Sequence, residues 1–206
     1  MRDMSWRRWM LTAAAVAAVI ALAGCGESRP RHREGPLRFH SEVVRLRVDG
    51  DTLEVEGTYR MRCVPSRAPV AFLFYPYPQD DNLGDARTLV LECRGESGPW
   101  TPAPFLERPP VGVRWTVPLD LGDTITVRTV DRQALRANSA RDIVTTTRAW
   151  GRPLARARFA IRLPGGAVPE SFSYPVAREP GTDDPVYVYE AEDFWPDRDI
   201  MVTWSL

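Results

Sequence analysis

From Leu37 onward the dominant period of the apolar residues is two, and prolines cut the chain before a long helix can form. Val44, Leu46 and Val48 alternate with Arg45 and Arg47. After Asp49-Gly50, a two-residue turn signal, Leu53, Val55, Tyr59, Met61 and Cys63 alternate with Glu54, Glu56, Thr58, Arg60 and Arg62. A turn at Asp49-Gly50 sets Leu46 opposite Leu53, Val44 opposite Val55 and, on the other face, Arg45 opposite Glu54. Val70 to Tyr75 is apolar throughout, as in a strand covered on both sides. Leu89, Leu91 and Cys93 make a further strand, as do Val113, Trp115 and Val117, then Ile125 and Val127. Later strands are expected over 155–163, 171–176, 186–190 and 200–206. One helix is expected over 132–141, where Ala134, Leu135 and Ala137 precede a break. About nine to eleven short strands in 170 residues imply an all-β fold, an antiparallel β-sandwich or a related two-sheet fold.

The missing residue types exclude chemistry. All 27 basic residues are arginine, so no lysine can form a Schiff base, grip a phosphate from a P-loop or pair with a catalytic serine. The two histidines, His32 and His40, are too few for a multi-histidine metal site. His40 neighbours Ser41, but adjacent strand residues point to opposite faces and do not form a nucleophile–base pair. Neither a metal nor a cofactor is expected, and no catalytic residue is assigned.

The N-terminus reads as an export address. Arg2, Arg7 and Arg8 precede 14 uncharged residues, Met10 to Ala23, too short a run for a membrane span of about 20 residues. Leu22-Ala23-Gly24-Cys25 follows, and with the segment before it resembles the lipobox of bacterial lipoproteins. That resemblance implies cleavage before Cys25, a diacylglyceryl thioether on its sulfur and an acyl chain such as palmitate on its new amino group. Arg7-Arg8-Trp9-Met10-Leu11 also resembles a twin-arginine export motif, although paired arginines arise readily in a chain without lysine. Position 26 is glycine rather than the aspartate that often retains lipoproteins at the inner membrane. The resemblance thus implies the cell envelope and, in a Gram-negative source, the outer membrane facing the periplasm.

The expected organisation is a signal peptide over 1–24, a lipid-anchored tether over 25–36 and a single β-domain over 37–206. Residues 26–35 are polar and extend at most about 35 Å. His32 belongs to this solvated tether. Cleavage leaves 24 basic and 26 acidic residues, a net charge of −2 with no stripe for nucleic acid. The partners expected are the membrane, through the lipid on Cys25, and an envelope protein or glycan.

Cys63 and Cys93 share the apolar parity of their strands, and in an exported chain that favours a disulfide between them. It would close 29 intervening residues and contribute about 3–4 kcal/mol. Three acidic groups stand out: Asp80, Asp81 and Asp85; Asp183 and Asp184; and Glu190, Glu192, Asp193, Asp197 and Asp199 around Phe194 and Trp195. These are solvated loops, calcium ligands without EF-hand spacing, or a carboxylate pair for glycoside hydrolysis. Trp100, Trp150, Tyr75, Tyr77, Phe194 and Trp195 lie near strand ends, where aromatics either pack a sandwich or stack on a ligand. The segment 145–154 has the look of a motif without assignable chemistry.

The opening hairpin and the run Phe74-Tyr75-Pro76-Tyr77-Pro78 resemble two sandwich families. One is the N-terminal domain of certain aminopeptidases; the other opens inter-α-trypsin inhibitor heavy chains. The likeness covers 40–78 and implies a fold only. The function expected is a lipid-anchored, non-enzymatic binding or assembly module of the envelope, with a carboxylate-based hydrolase of envelope glycans as the alternative.

Overall fold

Alternating apolar residues bury one face of a strand, and the fold follows from covering that face. A computed structural model describes residues 35–65, 68–107, 111–181 and 185–206. Cys25 and its lipobox, His32, Asp183 and Asp184 lie outside the described residues.

Among the described residues there are fourteen strands. They are β1 (Leu37–Asp49), β2 (Thr52–Cys63), β3 (Val70–Pro76), β4 (Arg87–Arg94), β5 (Thr101–Pro102), β6 (Phe105–Glu107), β7 (Gly112–Pro118), β8 (Thr124–Ala134), β9 (Ser139–Asp142), β10 (Leu154–Arg162), β11 (Val168–Phe172), β12 (Ala177–Arg178), β13 (Val186–Phe194) and β14 (Ile200–Ser205). The excess over nine to eleven comes from pieces of two to four residues, too short to carry an alternation. The strands form an eight-stranded sheet, β12-β13-β10-β1-β2-β8-β4-β5, and two three-stranded sheets, β11-β14-β9 and β3-β7-β6. The fold is all-β, as expected, built from three sheets, and among its otherwise antiparallel strand pairs β1 and β10 run parallel.

The two small sheets cover one face of the large one, side by side. Over one part, Val44, Leu46, Leu53, Val55, Phe159 and Ile161 meet Ala140, Ile200, Val202 and Trp204. Over the other, Met61, Leu91, Cys93, Ile125 and Val127 meet Ala71, Trp115 and Val117. Phe39 and Tyr59 pack against both clusters and mark the seam. The opposite face of the large sheet carries charge: Arg45, Glu56, Arg128 and Glu92 form a ladder of ion pairs across β1, β2, β8 and β4 at 3.3–3.7 Å.

Several expectations need correction. The hairpin turns on Gly50 and Asp51, with Asp49 opposite Thr52, Leu46 opposite Val55 and Arg45 opposite Glu56. Gly50 takes φ +59° at the first central position, where type II′ turns place glycine. The slip is two residues, so every side chain keeps its expected face. β3 is an edge strand whose outer face is open: Phe72 is 73% and Phe74 42% exposed. No helix occupies 132–141; β8 runs to Ala134 and β9 begins at Ser139. A 3₁₀ helix instead spans Thr145–Trp150 and ends on Gly151 at φ +71°.

The Cys63–Cys93 disulfide is not formed; both thiols are free. Their shared inward parity is as expected, but β8 runs between β2 and β4. Cys93 pairs with Val127, which pairs with Tyr59, four residues short of Cys63. Two strand spacings of about 4.8 Å and four residues of about 3.4 Å rise separate the cysteines, well beyond the roughly 7 Å between Cα atoms that a disulfide tolerates.

Candidate functional site

The inward stripe of β8 changes character along its length, from Ile125 and Val127 to Thr129, Asp131 and Gln133, all buried. β1 does the same through a bulge. Phe39 pairs with Met61 and Ser41 with Arg60, so His40 is the extra residue. The bulge brings Leu37 and Phe39 onto the same face as Glu42, Val44 and Leu46. Without it Leu37 and Phe39 would lie on the face opposite Glu42; with it all share the covered face, and Glu42 is only 2% exposed. His40 stays at the bulge, its imidazole held below its ordinary value by partial burial and then by Arg62 and Arg60.

Asp142 ends β9 and reaches the same region from the covering layer, opposite Ile200 in the sheet register. Its corner is fixed by Asp199, which accepts from Arg141 Nη2 at 2.6 Å and from Thr145 Oγ1 at 2.7 Å. That anchor sets the 3₁₀ helix, which delivers Thr147 and Trp150 to the seam. From β3, Tyr75 donates its hydroxyl to Asp131 Oδ1 at 3.0 Å.

A cavity of about 80 Å³ lies at the seam. Glu42, Thr129 and Thr147 give it polar lining; Phe39, Tyr59, Tyr75, Trp115 and Trp150 give it rings. The rings form a chain, with centroids 5.7 Å apart from Trp150 to Phe39 and from Phe39 to Tyr59, and 6.2 Å from Tyr59 to Tyr75. Tyr59 lies across Gly57, where a Cβ would fall 2.1 Å from its hydroxyl oxygen. Glycine at that position is therefore what admits the ring. Phe74 and Thr146 are the exposed lining residues and mark the opening.

Buried polar atoms are normally paired. Here Glu42 Oε1, Asp142 Oδ2 and Trp115 Nε1 are buried without a hydrogen-bond partner, and the buried Thr129 Oγ1 has only the Tyr59 hydroxyl beside it. Burial, then the neighbouring Asp142, pushes Glu42 up to about 8. Burial and Asp142 raise Asp131 to about 8, against a lowering hydrogen bond from Tyr75. Asp142 is raised to about 7, chiefly by burial and further by Asp199, while the Ile143 backbone and Arg141 oppose the rise. Burial, with Asp142 and Glu42 nearby, also holds the Tyr59 hydroxyl well above its ordinary range. Three carboxyl groups thus share a dry region and compete for negative charge.

The residues singled out from the sequence are distributed differently. Tyr75 and Trp150 line the cavity, Tyr77 and Phe194 are buried, and Arg94 lies 4.4 Å over the Trp100 ring. Asp80 Oδ1 accepts from the Asn82 backbone N–H at 2.8 Å in a turn, and Asp81 and Asp85 are exposed. A second, open groove of about 480 Å³ includes Tyr174, Tyr189, Glu192, Asp193, Trp195 and Asp197. Arg156 and Arg158 engage Glu190, and Arg198 engages Asp197. Glu192 and Asp193 are left beside Trp195, which is 41% exposed. Among the described residues, no three acidic, histidine or cysteine side chains are arranged to hold a metal ion. Burial raises both cysteine thiols, which keeps them protonated.

Glu42, Asp131 and Asp142 belong to no motif in the sequence. For two of them the signal is parity: Glu42 is in step with Val44 and Leu46, and Asp131 with Ile125 and Val127.

No family model matches this sequence, and neither does any curated protein. Solved structures do match in fold. A Legionella pneumophila protein given as a candidate nutrient-binding protein aligns with a TM-score of 0.52 at 11% identity, over 83% of this chain and 67% of its own. An M1 zinc metallopeptidase from Deinococcus radiodurans aligns at 0.48 and 14%, over 82% of this chain and 42% of its own. Yeast LTA4 hydrolase aligns at 0.49 and 11%, over 82% and 29%. The chain spans less than half of either enzyme.

Proposed function

We propose that the chain is a lipid-anchored protein of the cell envelope whose β-domain binds a small ligand in the seam cavity without covalent chemistry. The cavity carries this reading. An apolar filling at the seam would be more stable than buried carboxyl groups with single oxygens left unpaired, and rule-breaking groups of this kind concentrate at functional sites. Ring walls with a few converging polar atoms are the usual make-up of a ligand site. The volume of about 80 Å³ falls well below the roughly 300 Å³ of common ligand pockets, so it suits a head group rather than a sugar. The Leu22-Ala23-Gly24-Cys25 box supports the anchor and, in a Gram-negative source, the outer membrane facing the periplasm. Fold likeness carries no function here.

Native mass spectrometry of the full chain, extracted from membranes in detergent, tests the reading. A small co-purified mass lost in Trp150→Ala is expected, and Cys25→Ala should leave an unprocessed, unacylated precursor. A wild-type chain free of bound mass, with Cys25→Ala processed normally, would overturn it.

One observation favours a second reading. The groove at the end of β13 sets two carboxylates beside an exposed tryptophan, as a glycan site would. If the protein cleaves an envelope glycan, Glu192→Gln or Asp193→Asn lowers reducing-end release at least about a hundredfold.

A further inference from the structure

We propose that the head group bound in the seam cavity is a protonated primary amine of a small molecule, held by Glu42 and Thr129 among the rings of Phe39, Tyr59, Tyr75 and Trp150. This rests on the binding reading above and names its ligand class.

The charge balance of the seam comes first. Glu42 on β1, Asp131 on β8 and Asp142 on β9 are each about 2% exposed, and Tyr59 and Tyr75 face them from β2 and β3. Among the described residues, the cation acting on this group is Arg141, which is bound to Asp199 behind Asp142. The region therefore holds acids in excess of positive charge, and without a cation they retain protons instead. A cation entering the cavity replaces such a proton.

The lining then selects the kind of cation. A metal ion needs several oxygens converging on one point at short range, and no such group exists among the described residues. An ammonium group asks for less. It donates up to three hydrogen bonds; Glu42 Oε1 is a buried oxygen in the lining with nothing to accept, and Thr129 Oγ1, which has only the Tyr59 hydroxyl beside it, keeps a lone pair for a second donor. Its positive charge also suits ring faces, which attract cations most strongly where water is excluded. A quaternary ammonium would satisfy the rings but donate to neither oxygen. A primary amine satisfies both. The volume equals a few waters at about 30 Å³ each, enough for an amine and its first carbons.

The test uses the full-length chain in detergent, with methylammonium chloride as probe and methanol, tetramethylammonium chloride and calcium chloride as comparisons. Methylammonium is expected to raise the unfolding midpoint with concentration. Its apparent affinity should rise up to about tenfold per pH unit below the value of about 8 at which Glu42 ionises, then level off. Calorimetry in two buffers of different ionisation enthalpy should show a proton released on binding. Glu42→Gln should weaken binding at least about tenfold while circular dichroism stays native, and Thr129→Val should weaken it less. Affinity that falls with rising pH, tighter binding of tetramethylammonium or calcium, or unchanged binding to Glu42→Gln would overturn the proposal. Methanol binding that depends on Glu42 would overturn the amine and leave the cavity reading standing. If no probe binds and no mass co-purifies, both readings fall.

Discussion

The two ends of β8 lie on the same sheet face, under covering strands of the same kind, and solve opposite problems. At one end Ile125 and Val127 pack with Met61, Leu91, Trp115 and Val117, all buried. At the other, Glu42 and Thr129 line a cavity, Asp131 and Asp142 are buried in the same region, and some of these polar atoms lack partners. The first end gains stability from nearly every side chain it buries. The second loses stability and gains an enclosed, chargeable space. The difference traces to the seam: the apolar end is roofed by one small sheet, whereas the polar end lies where two small sheets meet. A seam between two sheets is hard to fill by interdigitation, and cavities collect at such junctions.

Substitution at each end should separate the two. Ile125 is fully buried, so Ile125→Ala should cost about 4 kcal/mol in denaturant unfolding, equally at every pH between about 5 and 8.5. A cost below about 1 kcal/mol would mean that this end is not tightly packed, and the contrast would collapse.

The polar end should respond to pH instead. Glu42, Asp131 and Asp142 hold their protons more tightly folded than unfolded, with folded values of about 8, 8 and 7. Between the ordinary carboxylate range near 4 and those values, the folded state binds more protons than the unfolded one, so stability falls as pH rises. Below about 4 both states are protonated and the three groups contribute nothing further. The loss from about pH 5 to 8.5 should be about 2–3 kcal/mol, less than three independent shifts would give because the groups are coupled. Glu42→Gln and Asp131→Asn should each flatten the dependence and stabilise the protein at the alkaline end; in the second variant the side-chain amide carbonyl still accepts from Tyr75. A stability that rises over this range in the wild type, and is unchanged in both variants, would show the acids to be ionised and paired.

How much of this was legible depended on whether a feature was local. Alternation placed the strands because one buried face imposes period two wherever it occurs, and both faces of β1 and β2 were assigned correctly despite the slipped turn. The stretch 132–141 misled because Gln133, Ala134, Leu135 and Ala137 suit a helix, whereas pairing with β2 holds Arg132 to Ala134 extended. β3 misled because an unbroken apolar run reads the same on an edge strand with Phe72 and Phe74 exposed as on a covered one. Parity also turned Glu42, Asp131 and Asp142 inward, but their meeting depends on a bulge at His40 and a corner fixed by Asp199. Neither has a local signature.

The smallest expected effect concerns the apolar end again. Cys93 is 1% exposed there, and Cys63 lies at the last position of β2 on the same face. If packing alone stabilises this end, reductant has nothing to break. The sheet register keeps the two sulfurs on strands either side of β8 and offset along them, so closing a bond would require β2 or β4 to leave its partner. Adding reductant to purified protein should therefore move the thermal midpoint by less than about 1 °C. Mass spectrometry without reduction should recover the Cys63 and Cys93 peptides separately, both alkylated once the chain is unfolded. A linked peptide, with a midpoint drop of about 5 °C or more on reduction, would mean that a crosslink supports the apolar end. The contrast with the polar end would then be one of covalent constraint as well as packing.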